Sequence, residues 1–216
     1  VVVAYVLSVA ACIPLSGWLA DRFGVRNTYF AAIIIFTLAS LGCASAASLN
    51  ELLFYRVIQG IGGALLLPVG RLAMLKIIPR TQFLSAMSLM SLAGLIGPLI
   101  GPTLGGWLVE VTTWHWIFLI NIPMGILGCW ICIKAMPNVA ETEVKNFDFL
   151  GFILLVVAMA GLSLGIENFA NPHHNLLWNL ALILAGGIAA ACYARHAHTH
   201  QNALFRSDLF KNRLYA

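Results

Sequence analysis

One arginine interrupts an otherwise apolar stretch of the sequence. Residues 52–70 read LLFYRVIQGIGGALLLPVG, and Arg56 is the single charged side chain among them. A guanidinium stays protonated at any working pH, so it can tune a neighbouring acid but cannot itself take up and release protons. A charge at the centre of a membrane helix costs about 2.5–3.5 kcal/mol on insertion scales. Arg56 is therefore a candidate functional residue.

Three residues accompany Arg56 at helical spacing. Gln59, Gly60 and Gly63 follow it at i+3, i+4 and i+7, which places them on one helical face. A charge, an amide and two glycines on one face predict contact with other helices beside a water-filled cavity. The alternative is that Arg56 snorkels to the outer face of the membrane that the helix crosses, because it lies only about 7 Å of helix rise beyond Glu51.

The composition indicates that this face belongs to a membrane helix. The chain has 216 residues, of which 61% are hydrophobic and 9% charged, whereas soluble domains carry about 25% charged residues. A helix needs about 20 apolar residues to cross the bilayer. Charge-poor intervals predict seven spans, at residues 1–20, 27–50, 52–70, 81–109, 111–133, 149–166 and 168–194. Their apolar residues do not alternate, so we predict an all-α membrane bundle and not a β-barrel.

The basic residues predict the orientation of this bundle. Lys and Arg collect in cytoplasmic loops. Eleven of the twelve follow the first, third, fifth or seventh span, and the twelfth is Arg56. The first span therefore starts outside, and the net charge of +4 reflects topology and predicts no nucleic-acid partner. Because Val1 already lies in an apolar run, we expect the chain to be a piece of a longer protein.

A charged motif, GWLADRFGVRN, follows the first span. Gly17 would allow close helix approach, and Asp21 and Arg22 end the span. Gly24 permits a tight reversal before Arg26. The alternative is an ordinary basic loop that obeys the positive-inside rule.

The fourth span contains the motif GLIGPLIGPTLGGW. Its glycines form a stripe of small residues, which predicts close packing against another helix. Its two prolines each delete a backbone donor at successive turns, which predicts a bent helix. The candidate residues are Gly94, Gly97, Pro98, Gly101, Pro102, Gly105 and Gly106.

Other residues that could carry chemistry are weaker candidates. His196, His198 and His200 alternate in a predicted cytoplasmic loop without Cys or acidic partners at ligand spacing, so we expect no metal site there. Cys129 and Cys132 lie inside a predicted span, where cysteines act as small apolar residues. The sequence contains no nucleophile-elbow, zinc-protease or phosphate-loop motif, so we expect no enzyme activity and no cofactor.

Together these motifs resemble the major facilitator superfamily, and specifically its fourteen-span drug:proton antiporter branch. GWLADRFGVRN is similar to the loop signature between helices two and three. LLFYRVIQGIGGA is similar to the helix-four signature, and GLIGPLIGPTLGGW to the antiporter signature of helix five. The segments WHWIFLINIPMG and FDFLG also fit this branch.

The resemblance implies a fold and a role for each motif. The chain would contain helices two to six of the N-terminal half plus two extra central helices. The implied parts are a bundle at 1–136 that lacks its first helix, a cytoplasmic linker at 137–147, two additional membrane helices at 148–195, and a cytoplasmic loop at 196–216 that leads into the C-terminal half. Arg56 and Gln59 would take part in proton coupling. The segment from Gly17 to Arg26 would latch the two halves together, and bent helix five would govern exchange.

The resemblance also implies a function. We expect a monomeric, multi-pass transporter of the inner membrane that exports drug-like or other small organic solutes by proton antiport with alternating access. The alternatives are a facilitator of the same fold without proton coupling and a non-transporting sensor or membrane enzyme. No carboxylate lies in the middle of a predicted span, since Glu51, Glu110, Asp148 and Glu167 sit at span ends. The resemblance therefore implies that the titrating acid lies in the preceding helix or in the other half.

Overall fold

A computed structural model describes residues 1–140, 146–169 and 176–199. All regular structure in these ranges is helical, which confirms the predicted all-α fold. The helices are α1 (Val2–Cys12), α2 (Leu15–Phe23), α3 (Val25–Ser45), α4 (Leu49–Ile77), α5 (Arg80–Val111), α6 (Trp116–Leu119), α7 (Asn121–Ala135), α8 (Phe149–Phe169) and α9 (Leu176–Thr199).

These helices account for six membrane spans by length and composition, or for seven if the bent pair of α1 and α2 is one span. Five single helices, α3, α4, α5, α8 and α9, are long and apolar enough to cross a bilayer, and α6 with α7 forms a sixth span, Trp116–Ala135. Helices α1 and α2 qualify together as a pair bent by 56°. Helix α9 continues to Thr199, so His196 and His198 lie in its last turn and not in the loop predicted from residue 196. Basic side chains are favourable near a helix C-terminus, so Arg195 does not end the helix.

The bend in the first span lies at Pro14. Helix α1 ends at Cys12 and α2 begins at Leu15. Proline has no backbone N–H and its ring obstructs the carbonyl four residues earlier, so a helix kinks there. The hydroxyl of Ser16 donates to the Ile13 carbonyl at 2.6 Å and satisfies one of the acceptors at the break. As a result α2 turns to pack against α3 and α4.

A single glycine connects α2 to α3. Gly24 has φ +85°, a conformation that side chains with a Cβ rarely adopt. A Cβ there would also collide with the side chain of Asn138. The hydroxyl of Thr28 donates to the Leu19 carbonyl at 3.0 Å, and the Val25 amide donates to the Val139 carbonyl at 3.1 Å. The predicted tight reversal at Gly24 is confirmed.

Helices α3 and α4 form the centre of the bundle. Gly62 of α4 lies against the α3 backbone, where a Cβ would come within 2.7 Å of the Phe36 nitrogen and 3.0 Å of the Ala32 carbonyl oxygen. Small residues thus allow two backbones to touch, as is common between membrane helices. Next to this contact α2, α3 and α4 bury one apolar cluster, made of Ala20, Val25, Ala32, Leu65, Val69 and Ala73.

Polar residues fix the start of α4. The Glu51 amide donates to the hydroxyl of Ser48 at 3.3 Å, and the Ala47 amide donates to the Glu51 carboxylate at 2.9 Å. This reciprocal arrangement resembles a capping box, which satisfies amides that a helix N-terminus leaves unpaired. The start of α4 is thereby set about two turns before Arg56.

Helices α8 and α9 form a closely packed hairpin. A Cβ at Gly161 would come within 2.9 Å of the Leu182 carbonyl oxygen and 3.0 Å of the Gly186 Cα. The two backbones therefore touch at a pair of glycines. The hairpin also contacts the rest of the bundle through α8, which packs on α1.

Candidate functional site

The guanidinium of Arg56 points into the bundle. Its Nη1 donates to the Oε1 of Gln59 at 3.0 Å. Gln59 lies about one turn further along α4, so the side chain extends away from the Glu51 end of the helix. Snorkelling requires the opposite direction, because the Glu51 end is the one nearest the predicted outer surface. The geometry therefore favours the interpretation in which Arg56 contacts other helices.

Two aromatic rings face the Arg56 guanidinium. Its central carbon lies 4.5 Å from the ring centroid of Phe118 and 5.6 Å from that of Tyr5. Both distances are within the range of a cation–π contact. The Phe118 side chain is only 5% exposed, and the Nε of Arg56 is inaccessible and has no hydrogen-bond partner among the described residues. The guanidinium is thus held largely by aromatic faces and one amide.

A polar network continues from Gln59 to two other helices. Gln59 is 2% exposed, and its Nε2 donates to the hydroxyl oxygen of Ser40 on α3 at 2.6 Å. Ser40 is fully buried and donates in turn to the Phe36 carbonyl at 2.8 Å. The Nδ2 of Asn121 on α7 lies 3.5 Å from the same hydroxyl, at the long limit of a hydrogen bond. The network therefore joins α3, α4 and α7.

Sequence reasoning identified only part of this network. It selected Arg56 and Gln59 from their spacing but missed Ser40, Phe118 and Asn121. The segment WHWIFLINIPMG contains Phe118 and Asn121, but its sequence indicates only a resemblance to the antiporter branch and no contact with Arg56. Ser40 carries no sequence signal, since serine is a common small residue in membrane helices.

The glycines on the Arg56 face lie against α1. A Cβ at Gly60 would come within 2.6 Å of the Ser8 Cβ and 2.7 Å of the Tyr5 carbonyl oxygen. A Cβ at Gly63 would come within 2.9 Å of the Tyr5 hydroxyl oxygen. The predicted helix contact on this face is confirmed, whereas the water-filled cavity beside it stays a prediction.

The charged motif after the first span lies at a helix end and not in a loop. Helix α2 runs to Phe23, so Asp21 and Arg22 occupy its last turn. Asp21 and Arg22 thus end the span, as the sequence predicts, and Gly24 alone makes the connection to α3. The Nζ of Lys76, at the end of α4, lies 3.2 Å from the Oδ1 of Asp21, which is 41% exposed. An ion pair with this exposure contributes about 0–1 kcal/mol, so it is weak enough to break during a movement.

Two other residues of this motif have identified contacts. The guanidinium carbon of Arg22 lies 5.3 Å from the ring centroid of Trp18. Arg26 is in the first turn of α3, where its carbonyl accepts a hydrogen bond from the Cys132 thiol at 3.7 Å. Gly17, which was expected to allow a close helix approach, has no atom within 4 Å of a Cβ built on it. That expectation is wrong for the part of the chain that the structure describes.

Helix α5 departs most from the sequence-based expectation. Its main contacts are with α4 and α6, and none of its residues is buried. The helix continues through Pro98 and Pro102. The expected close packing of its small-residue stripe is wrong within the described residues, because the stripe faces away from them. A Cβ would meet nothing within 4 Å at Gly94, Gly97, Gly101, Gly105 and Gly106.

A buried acid–histidine pair, which sequence reasoning missed, closes one end of the α8–α9 hairpin. The Nε2 of His196 lies 2.8 Å and 3.0 Å from the two carboxylate oxygens of Asp148. The side chains are 10% and 4% exposed, respectively. The Oδ1 of Asp148 also accepts from the Gly151 amide at 2.9 Å, as an N-cap does.

This pair explains the residues of the FDFLG segment. Asp148 caps α8, and a Cβ at Gly151 would collide with the Asp148 carboxylate. The ring centroid of Phe147 lies 4.9 Å from that of Trp18, so the hairpin contacts α2 beside Arg22. The sequence does not predict this pairing, because it predicts a loop at His196 where the structure continues α9.

The other candidate ligands that the structure describes do not gather into a metal site. No group of three or more His, Cys, Asp or Glu side chains that could hold a metal ion occurs within residues 1–140, 146–169 and 176–199. His200 lies outside these ranges. Cys129 and Cys132 are both free thiols.

An apolar cavity of about 620 Å³ lies between α3, α4, α5 and α7. Four methionines contribute to its wall, and their flexible side chains can fit ligands of different shape. Its polar lining includes Thr37 and Asn121, and Asn121 also approaches Ser40 of the Arg56 network. The methionines are Met74, Met90, Met124 and Met136.

The bundle, its charged α2–α3 turn and the polar face of α4 define a class of membrane protein. The sequence profile of the Major Facilitator Superfamily matches residues 1–191, and the chain belongs to that superfamily. The resemblance stated from the motifs is thereby confirmed.

Individual relatives are also similar to this chain. It is 50% identical over 215 residues to the "Putative multidrug resistance protein MdtD" of Yersinia pestis (strain Pestoides F). The protein of the same name from Yersinia pseudotuberculosis serotype O:1b (strain IP 31758) has the same identity over the same length. Each alignment covers 100% of this chain and 46% of the relative. The chain therefore spans less than half the length of these relatives.

Proposed function

We propose that this protein is a secondary transporter that exports drug-like small organic solutes across the bacterial inner membrane in exchange for protons. The observation that carries the proposal is that Arg56 points into the bundle and donates a hydrogen bond to Gln59. The chain in which it does so belongs to the Major Facilitator Superfamily. Alternating access between two bundles is the general mechanism of such transporters. The names of the relatives support a drug-like solute. The transporter acts as a monomer.

Arg56 serves proton coupling by tuning an acid. Because a guanidinium does not lose its proton, a carboxylate must carry the proton. A fixed positive charge in a low-dielectric surrounding favours the ionised form of an acid that approaches it. The acids in the described residues lie at or near helix ends, so the titrating carboxylate is supplied from outside them. Those acids are Asp21, Glu51, Glu110, Asp148 and Glu167.

The α2–α3 turn and α5 serve the movement between states. The weak Lys76–Asp21 ion pair beside Gly24 forms in one state and breaks in another. The open glycine stripe of α5 contacts the other half of the transporter, and its two prolines fix the shape of that contact. The apolar, methionine-lined cavity is consistent with solutes that are lipophilic.

Export can be tested directly in cells. The protein is expressed at its natural full length in bacteria that lack their own efflux pumps, and accumulation of ethidium and a panel of other lipophilic dyes is measured. We expect the wild type to lower the accumulation of at least one compound. Arg56→Ala should abolish this effect at equal abundance in the membrane. Arg71→Ala is the matched control, because Arg71 is an exposed arginine of the same helix. Equal export by wild type and Arg56→Ala contradicts the proposal.

A second candidate is a facilitator of the same fold that runs without protons. The observation that favours it is the absence of a mid-helix carboxylate from residues 1–140, 146–169 and 176–199. Uptake of the exported compound into everted vesicles separates the two functions. Proton antiport requires an imposed pH gradient and stops when an ionophore collapses it, whereas a facilitator is unaffected.

A further inference from the structure

The WHWIFLINIPMG segment has a structural role that neither the fold nor the proposed function explains. Helix α6 makes one turn, Trp116–Leu119, and α7 begins at Asn121 after a break at Ile120. This short turn carries Phe118 to α4, where its ring lies 4.5 Å from the Arg56 guanidinium carbon. The ring of Trp114 meets the Phe118 ring edge to face at 6.1 Å and restricts its orientation.

Ser40 affects the same guanidinium indirectly, through the amide of Gln59. The Gln59 side chain has one oxygen and one nitrogen, and the Ser40 hydroxyl accepts from the nitrogen at 2.6 Å. This contact fixes the orientation of the amide, so that its oxygen faces the Arg56 Nη1 at 3.0 Å. If Ser40 did not accept, the amide would be free to rotate and the oxygen could turn away.

We infer that Phe118 and Ser40 are positioning residues for Arg56. Phe118 covers the face of the guanidinium and keeps it from bending back to the membrane surface. Ser40 sets the amide that the guanidinium donates to. This inference rests on the proposed function only for its effect on transport, since the positioning itself is a property of the bundle.

The reactivity of Arg56 tests the positioning without a transported solute. Phenylglyoxal modifies accessible guanidinium groups, and mass spectrometry of peptides from the full-length protein gives the rate at each arginine. Arg71, which is exposed, serves as the internal reference. Because a desolvated cation–π contact is lost, we expect Phe118→Leu to speed modification of Arg56 about five- to tenfold relative to Arg71. Phe118→Tyr keeps the ring and should keep the slow rate.

Two further variants guard against misfolding. Trp116→Leu removes an aromatic ring from the same turn that is 50% exposed, so the Arg56 rate should stay unchanged. Ser40→Ala keeps nearly the same volume and should speed modification about two- to threefold by freeing the Gln59 amide. Unchanged Arg56 reactivity in both Phe118→Leu and Ser40→Ala overturns the inference.

Transport of a dye that the wild type exports then separates this inference from the proposed function. We expect Phe118→Leu to lower export and Phe118→Tyr to restore it. Fast modification of Arg56 in Phe118→Leu, together with normal export by both Phe118→Leu and Arg56→Ala, supports the positioning and contradicts the role of Arg56 in transport. The opposite result is also possible. If Arg56→Ala loses export, while Phe118→Leu and Ser40→Ala keep both wild-type export and the wild-type rate of Arg56 modification, the proposed function is supported and the inference is overturned.

Discussion

Replacing Gln59 by leucine removes the side chain that links Arg56 to α3. Two hydrogen bonds are lost, from the Arg56 Nη1 at 3.0 Å and to the Ser40 hydroxyl at 2.6 Å. Only the bond to Ser40 joins two helices, and such bonds in membranes contribute about 0.6 kcal/mol on average and at most about 1.7 kcal/mol. The bond from Arg56 lies within α4 and has a charged donor. We therefore expect Gln59→Leu to lower the free energy of unfolding by about 1–3 kcal/mol, towards the upper end because one donor is charged.

The measurement is unfolding of the full-length protein in mixed micelles as the fraction of denaturing detergent is raised. Ser40→Ala and the double variant complete a double-mutant cycle. Because Ser40 acts through Gln59, its replacement should cost much less in the Gln59→Leu background than in the wild type. A loss below about 0.5 kcal/mol for Gln59→Leu, or fully additive losses, would refute the network as described.

Two other predictions concern helix contacts. At Gly62, alanine should destabilise the bundle by about 1–3 kcal/mol, because its Cβ would meet the α3 backbone at Phe36 within 2.7 Å. Thermal unfolding measures this loss. The control is Gly187→Ala, whose Cβ would meet nothing within 4 Å and which should be neutral or slightly stabilising. At the α8–α9 hairpin, Asp148→Ala should cost about 1 kcal/mol more than Asp148→Asn, because asparagine keeps the cap on the Gly151 amide; equal melting temperatures for these two variants contradict the assignment of the cap.

Much of the fold could be predicted because the lipid bilayer strongly constrains the composition of the segments that cross it. Backbone polar groups must be satisfied within each span, so helices of about 20 apolar residues are required and charges collect between them. The polar face at Arg56 and Gln59 could be predicted for a similar reason, since helical periodicity alone puts these residues together. The turn at Gly24 followed from the special freedom of glycine.

What the sequence could not provide was the identity of partners from distant helices. Phe118 lies on the one-turn helix α6 and contacts Arg56 from a distant part of the chain, and no spacing rule predicts that contact. His196 joins Asp148 because α9 continues past the basic residue expected to end it. The glycines of α5 show a related limit of the sequence. Their spacing permits a close helix approach, but it does not identify the helix that packs against them.

The central claim is that Arg56 takes part in exchanging a solute for protons. The most direct measurement follows proton movement with a pH-sensitive dye in energised everted vesicles, while a compound that the wild type exports is added. We predict that the compound releases protons from wild-type vesicles and from Arg71→Ala vesicles, but not from Arg56→Ala vesicles that contain equal amounts of protein. The same proton release in Arg56→Ala, or none in the wild type, would contradict the claim.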